Sequence, residues 1–330
     1  MGELLLRISP AAKNNQQSKH PMLLFVGGAE ANVATALAGW KLPVRYFTVL
    51  PDNFMSRYVI QYLNAKHIDT SPIMFAGERI GLYYLETGAD IKGGVVYDRK
   101  GSSFSTLTIG MVDWEKVFEG IEWFHFTAIS PALNESIAQV CKEALEVASK
   151  KGIRISVDLN FRSKLWKYGK DPKEVMPELV QYCDLVMGNI WSANSLLGIP
   201  VNEQIHDLNS KEAYIDHAEK TSNAIMQQFP KCIAVANTYR FDSNNDQIKY
   251  YTTLQIANQS YVSNEFACAG VVDRSGSGDC FMAGLIYGFL TSPKHPQELL
   301  NNAAAAAFGK LQEQGDATEQ EVLQIAFEFL

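Results

Sequence analysis

Short apolar runs alternate along most of the chain with longer segments in which apolar residues recur every three or four positions. The runs predict strands over residues 4–8, 22–26, 45–49, 123–126, 153–158, 185–187, 233–236 and 250–255. The longer periodic segments predict helices over 32–40, 56–65, 134–151, 172–183, 213–229, 279–290 and 297–312. Helices of this length between apolar strands are the mark of βαβ units, hence of an α/β class chain: a doubly wound, mainly parallel sheet flanked by helices. From residue 73 to 104 the rhythm changes to short alternating segments, 81–86 and 94–97, split by glycines, as in an antiparallel sheet. The organisation expected is one domain over 1–330, with a small β lid formed by about 8–26 and 73–108. A lid belongs at the carboxyl edge of a parallel sheet, where ligands bind in open α/β folds.

Composition narrows the partners. With 29 Lys and Arg against 36 Asp and Glu, the formal charge of −7 supplies no net positive field for nucleic acid or an anionic membrane. Five cysteines, Cys141, Cys183, Cys232, Cys268 and Cys280, are scattered without a Cys-x-x-Cys pair and read as free thiols in a reducing compartment. The first twenty residues carry no apolar signal region, and no apolar run reaches the roughly 18 residues of a membrane span, so a cytoplasmic protein is expected.

The strongest chemical signal is Val271-Val272-Asp273-Arg274-Ser275-Gly276-Ser277-Gly278-Asp279, a strand end, a glycine-rich turn and the start of an apolar helix. Gly276 and Gly278 let the backbone approach a ligand closely. The amides at the helix start and the helix dipole make an anion site there. Asp279 then has two readings: a cap for the helix, or a base beside a phosphate site that takes the proton of an attacking hydroxyl. The chain has no Gly-x4-Gly-Lys-Ser/Thr loop, no His-Glu-x-x-His and no Gly-x-Ser-x-Gly elbow.

The Asp273 to Asp279 turn resembles the signature of the PfkB, or ribokinase-like, carbohydrate kinases. Gly27-Gly28-Ala29-Glu30-Ala31-Asn32 resembles their N-terminal substrate motif, and the order and rhythm between the two agree over nearly the whole chain. Gly81-Leu82-Tyr83-Tyr84, Val96-Tyr97-Asp98-Arg99-Lys100 and Asp158-Leu159-Asn160-Phe161-Arg162 look like segments that mark the 2-keto-3-deoxygluconate kinases among them. The resemblance implies an ATP- and Mg²⁺-dependent kinase in which Asp279 activates the sugar's terminal hydroxyl. The amides of Gly276, Ser277 and Gly278 would form the anion hole. Gly28, Ala29, Asn32, Tyr83, Tyr97 and Asp316 would contact the sugar. Arg99 and Arg162 would receive its carboxylate, a group suited to a guanidinium fork. Asn189, Arg240, Arg274 and Asn302 would face the nucleotide. A homodimer through the lids is the expected assembly.

Two segments depart from the family pattern. Ser192, in Asn189-Ile190-Trp191-Ser192, stands where relatives carry a glutamate that organises Mg²⁺, and a neutral hydroxyl cannot supply that charge. The metal ligands therefore stay unassigned. Val235-Ala236-Asn237-Thr238-Tyr239-Arg240 lacks the glycines that relatives place near the phosphates. A kinase for a neutral sugar such as fructose or ribose, and a non-catalytic sugar-acid sensor on the same fold, remain the alternatives.

Overall fold

The computed structural model describes residues 1–11, 21–86, 94–205, 210–242 and 247–320. Parts of the expected lid, 12–20 and 87–93, lie outside the described residues. The chain forms two compact units. The first comprises residues 1–106, 241–249 and the segment from 266 onward; the second comprises 107–240 and 250–265.

The first unit opens with β1 (Leu5–Pro10) and β2 (Met22–Gly27), followed by helix α1 (Ala29–Gly39). β1 pairs antiparallel with β2 along its whole length, Leu5 opposite Gly27 and Pro10 opposite Met22, so the small sheet begins before residue 8. Helix α1 buries every residue from Glu30 to Ala38, and its alanines suit a helix packed on every side. The expected strand 45–49 is instead two short ones, β3 (Val44–Arg45) and β4 (Val49–Leu50). Helix α2 (Phe54–Ala65) separates them from β5 (Ile68–Asp69) and β6 (Met74–Phe75), with which they pair in parallel. The chain changes partner between Tyr46, bonded to Asp69, and Thr48, bonded to Met74, and that switch breaks the strand. β7 (Gly81–Tyr84) runs parallel to β1 and antiparallel to β8 (Val96–Asp98), completing a four-stranded sheet in the order β2-β1-β7-β8.

In the second unit, helix α3 (Trp114–Val117) precedes β9 (Trp123–Thr127), α4 (Glu135–Lys150), β10 (Arg154–Asp158) and α5 (Pro172–Val180). β11 (Leu185–Gly188), α6 (Ile190–Leu197), α7 (Lys211–Gln228), β12 (Ala234–Asp242), β13 (Gln247–Ile256) and β14 (Gln259–Val262) follow, the last two residues of β12 and the first three of β13 being counted with the first unit. β9, β10, β11 and β12 are parallel neighbours, as the βαβ rhythm predicts, and β13 and β14 form an antiparallel hairpin at the edge. Ile155, Val157, Val186 and Ala234 are fully buried, as expected of strands covered on both faces. Helix α4 turns Ile137, Val140, Cys141, Ala144, Leu145 and Ala148 inward at helical spacing, and Asn134 caps it by accepting from the Ile137 N–H.

The chain returns to the first unit with β15 (Phe266–Ala269), α8 (Ser277–Thr291) and α9 (Pro296–Lys310). Small residues bring α8 and α9 close together: a Cβ on Gly284 would stand 2.6 Å from the Ala303 Cα. None of the five cysteines is in a disulfide, and all but Cys268 are buried. Among the described residues, no helix is long and apolar enough to cross a membrane.

Candidate active site

The glycine turn is built by two backbone requirements. Gly276 sits in the left-handed region at φ 75° and caps α8, and a Cβ on it would lie 1.7 Å from the Asp316 carbonyl oxygen. Only glycine fits both the dihedral and the space. The helix therefore begins at Ser277, two residues before the expected start, and its first intrahelical bond runs from the Cys280 N–H to the Gly276 carbonyl at 2.8 Å. Ser277 and Gly278, at the first two helical positions, have no acceptor within the helix for their N–H groups. The Ser277 hydroxyl donates to the Ala307 carbonyl at 2.9 Å and ties this turn to α9. Gly278 is exposed, and a Cβ there would meet nothing within 4 Å, so the space before the turn is open.

Asp279 lies inside the first turn of α8, while Gly276 is the cap, so the capping reading of Asp279 fails on position. The residue is 9% exposed, and its Oδ2 accepts from Asn32 Nδ2 at 2.7 Å. Asn32 is likewise internal to its helix: Gly28 is the N-cap of α1, and its φ of 125° places it where a Cβ would meet the Glu3 carbonyl at 2.6 Å. Asn32 Oδ1 is buried and has no hydrogen-bond partner, an acceptor open beside the carboxylate of Asp279. Ala29, half-buried, opens α1.

Asp316 joins the same unit. Tyr83 on β7 donates its hydroxyl to Asp316 Oδ1, and Arg7 Nε lies 3.2 Å from Oδ2. Burial pushes the Asp316 carboxyl above its ordinary range, with the Arg7 charge and the Tyr83 hydrogen bond acting against that rise. Burial, reinforced by the Asp316 charge, also raises the Tyr83 phenol well above its ordinary value. Tyr97 lies beside Tyr83, ring centroids 6.4 Å apart. Arg99 is held differently from the expectation. Its Nε donates to Glu3 Oε2 at 2.8 Å, Nη2 reaches the same oxygen, and the pair is buried. The fork expected to receive a substrate carboxylate thus engages an internal one, with Nη1 outside the pair. Sequence reasoning missed Glu3 because the two partners are 96 residues apart.

Of the expected nucleotide contacts, Arg274 is half-buried in the turn, and Asn302 is exposed at the head of the buried run Ala303 to Ala307. Three expected residues belong to the second unit. Arg162 is exposed, with Nη1 donating to the Phe161 carbonyl at 3.1 Å, and Arg240 is exposed on β12. Asn189 caps α6: its Oδ1 accepts from the Ser192 N–H at 2.8 Å, while Ser192 Oγ accepts from the Asn189 N–H at 2.9 Å. Ser192 thereby completes a capping box, a structural use for the position where a glutamate was expected. Among the described residues, no three His, Cys, Asp or Glu side chains converge as metal ligands.

The sequence profile of the pfkB family carbohydrate kinases matches residues 2–322. The chain is similar to the crystal structure of 2-dehydro-3-deoxygluconokinase from Thermotoga maritima. The TM-score is 0.88 at 33% identity, covering 98% of this chain and 96% of that one. Over 187 residues it is 28% identical to the 2-dehydro-3-deoxygalactonokinase of Haloferax volcanii, covering 56% of this chain and 58% of that protein. Over 200 residues it is 28% identical to the 5-dehydro-2-deoxygluconokinase of Clostridium tetani, covering 59% and 58% respectively. The chain thus spans less than two thirds of the length of these two curated relatives. With a family match over nearly its whole length and the glycine turn, Asp279 and Asn32 assembled in one unit, the chain belongs to the pfkB family of carbohydrate kinases.

Proposed function

We propose that the chain transfers the γ-phosphoryl group of ATP to the terminal hydroxyl of 2-keto-3-deoxygluconate, the sugar acid also called 2-dehydro-3-deoxygluconate. The observation that carries this reading is Asp279, buried behind an open glycine turn and held by Asn32 rather than spent on a cap. The sugar hydroxyl loses its proton to the Asp279 carboxylate as its oxygen bonds to the γ-phosphorus. The bond from that phosphorus to the β-phosphate bridging oxygen breaks, leaving ADP. The Ser277 and Gly278 amides and the dipole of α8 offset the charge on the phosphoryl oxygens, so the work of the protein is positioning and electrostatics. Mg²⁺ would arrive on the nucleotide and neutralise its phosphates. Support for a sugar acid comes from the relatives named above, all kinases of dehydro-deoxy sugar acids by name.

One observation favours the second reading, a neutral-sugar kinase: Arg99 is engaged by Glu3. ADP release with MgATP and 2-keto-3-deoxygluconate, fructose, ribose or no sugar separates the two. Turnover with the acid alone is expected. Turnover confined to a neutral sugar would overturn the substrate, and binding of the acid without turnover on any sugar would leave a sensor.

The assembly follows from the small sheet. Leu24, Ile8, Tyr84 and Val96 are successive cross-strand partners and so share one face, with Leu24, Tyr84 and Val96 exposed at 45%, 38% and 60%. We read this apolar row as the contact with a second copy of the chain. Light scattering is expected to give twice the chain mass for the natural protein and a monomer for Leu24→Glu; a monomeric natural protein refutes the contact.

A further inference from the structure

Arg7 is the lone charge in an apolar strand, preceded by Leu4, Leu5 and Leu6 and followed by Ile8, and its side chain is 1% exposed. A guanidinium buried this deeply persists only where its charge and its N–H groups are matched. Nη2 donates to Asp273 Oδ2 at 2.7 Å, Nη1 donates to Ser275 Oγ at 2.8 Å, and the guanidinium lies 4.2 Å from the centroid of the Phe25 ring. Burial works against its charge, but Asp273 and Asp316 hold its pKa above the ordinary value.

These partners belong to two segments that must meet. Asp273 and Ser275 form the turn leading to Gly276, and Asp273 also accepts from the Ser275 N–H at 2.9 Å and the Gly315 N–H at 3.1 Å. Asp316 follows Gly315 and lays its carbonyl against Gly276. The approach of Arg7 Nε to Asp316 Oδ2 is an ion pair without hydrogen-bond alignment, so Oδ2 keeps an unfilled acceptor position.

We propose that Arg7 is a positioning residue of the reaction centre: it clamps the anion turn to Asp316 and keeps Asp316 ionised to accept a sugar hydroxyl. This rests on the kinase reading above. Among the described residues, Arg7 from β1, Tyr62 from α2, Tyr83 from β7, Asp273 from the turn and Lys310 from the end of α9 act electrostatically on Asp316. Lys310 is fully buried, its ammonium is weakened by that burial, and it donates to the Glu313 carbonyl at 3.1 Å. Arg7 is therefore the cation placed directly on the Asp316 carboxylate. Without it, Asp316 protonates at higher pH and becomes a donor where an acceptor is needed.

The test compares the full chain with Arg7→Met and Arg7→Lys. Two readouts serve: steady-state kinetics over pH, and ¹³C NMR of labelled aspartate carboxyls, with the Asp316 signal assigned by its loss in Asp316→Asn. Arg7→Met is expected to titrate Asp316 at higher pH than the natural protein and to shift the acid limb of kcat upward. It should also lower kcat about a hundredfold, the scale of a misplaced reacting geometry. Arg7→Lys restores the charge and thus the titration, but lacks the fork and keeps kcat depressed. Should Arg7→Met not fold, Arg7→Lys decides alone, and natural kcat in that variant overturns the proposal. It is equally overturned if Asp316 titrates unchanged in Arg7→Met, or if only the melting temperature falls while kcat per folded molecule is kept. If the natural chain phosphorylates no sugar, the functional reading fails, and the NMR titration still decides whether Arg7 governs Asp316.

Discussion

Replacing Asp279 by asparagine is expected to lower kcat by about 10²–10⁴-fold, the range lost with a positioned base, while the fold and MgATP binding persist. The amide has nearly the same shape, and its oxygen can still accept the hydrogen bond that Asn32 Nδ2 now gives to Oδ2. What disappears is the capacity to take a proton. A structural carboxylate would behave in the opposite way, losing stability and keeping turnover. Gly276 already serves as the N-cap, which removes the main structural reason for a carboxylate at this place. Initial rates of ADP release, paired with urea unfolding of the same samples, separate the two outcomes. Asp279→Asn turning over within a few-fold of the natural protein would rule Asp279 out as the base.

Gly276→Ala is the second change with a large expected effect. Its φ of 75° is left-handed, which costs an L-residue about 1–2 kcal/mol. The added Cβ would stand 1.7 Å from the Asp316 carbonyl oxygen, a backbone atom that cannot rotate away as a side chain would. Overpacking of this kind costs about 1–3 kcal/mol more, so a loss of about 2–5 kcal/mol is expected in urea unfolding. Turnover should fall with it, because relieving the clash moves the turn and Asp316 apart. Gly278→Ala supplies the control two residues on. There a Cβ meets nothing within 4 Å, and alanine favours the helix, so stability should hold or rise slightly. Equal destabilisation by both substitutions would show that the closeness of Gly276 to Asp316 does not govern the turn.

The glycine turn was legible in the sequence because its demands are local: two glycines, a strand end before them and an apolar helix after them. The helix boundary was less so. Asp279 reads as a helix start by composition, yet the left-handed Gly276 starts α8 at Ser277, a choice made by the close approach of the Asp316 backbone. The strand expected over 45–49 failed for a related reason. Tyr46, Phe47 and Val49 are apolar and buried, but the backbone partners change at Phe47, which no periodicity records. Asn189 and Ser192 also have a local structural use that the motif does not record. Their spacing matches a nucleotide-side pattern, and in the fold they satisfy each other's backbone as a capping box.

By itself the sequence determined the α/β alternation, the glycine-rich turn, the N-terminal glycine motif and the identity of Asp279 as the residue to test. Period, glycine placement and helix ends are written within a few neighbouring residues, and local backbone physics acts on them directly. Only the tertiary structure decided which charges meet. Asn32 reaches Asp279 across 247 residues, Arg7 reaches Asp273 across 266, and Arg99 turns to Glu3 rather than to open space. Such pairings are selected by burial, because a desolvated guanidinium or carboxylate must find a partner in whatever segment the packing brings beside it. Arg7 carried the one hint available in advance: a single charge inside an apolar strand has to be matched somewhere, and the fold supplied the place.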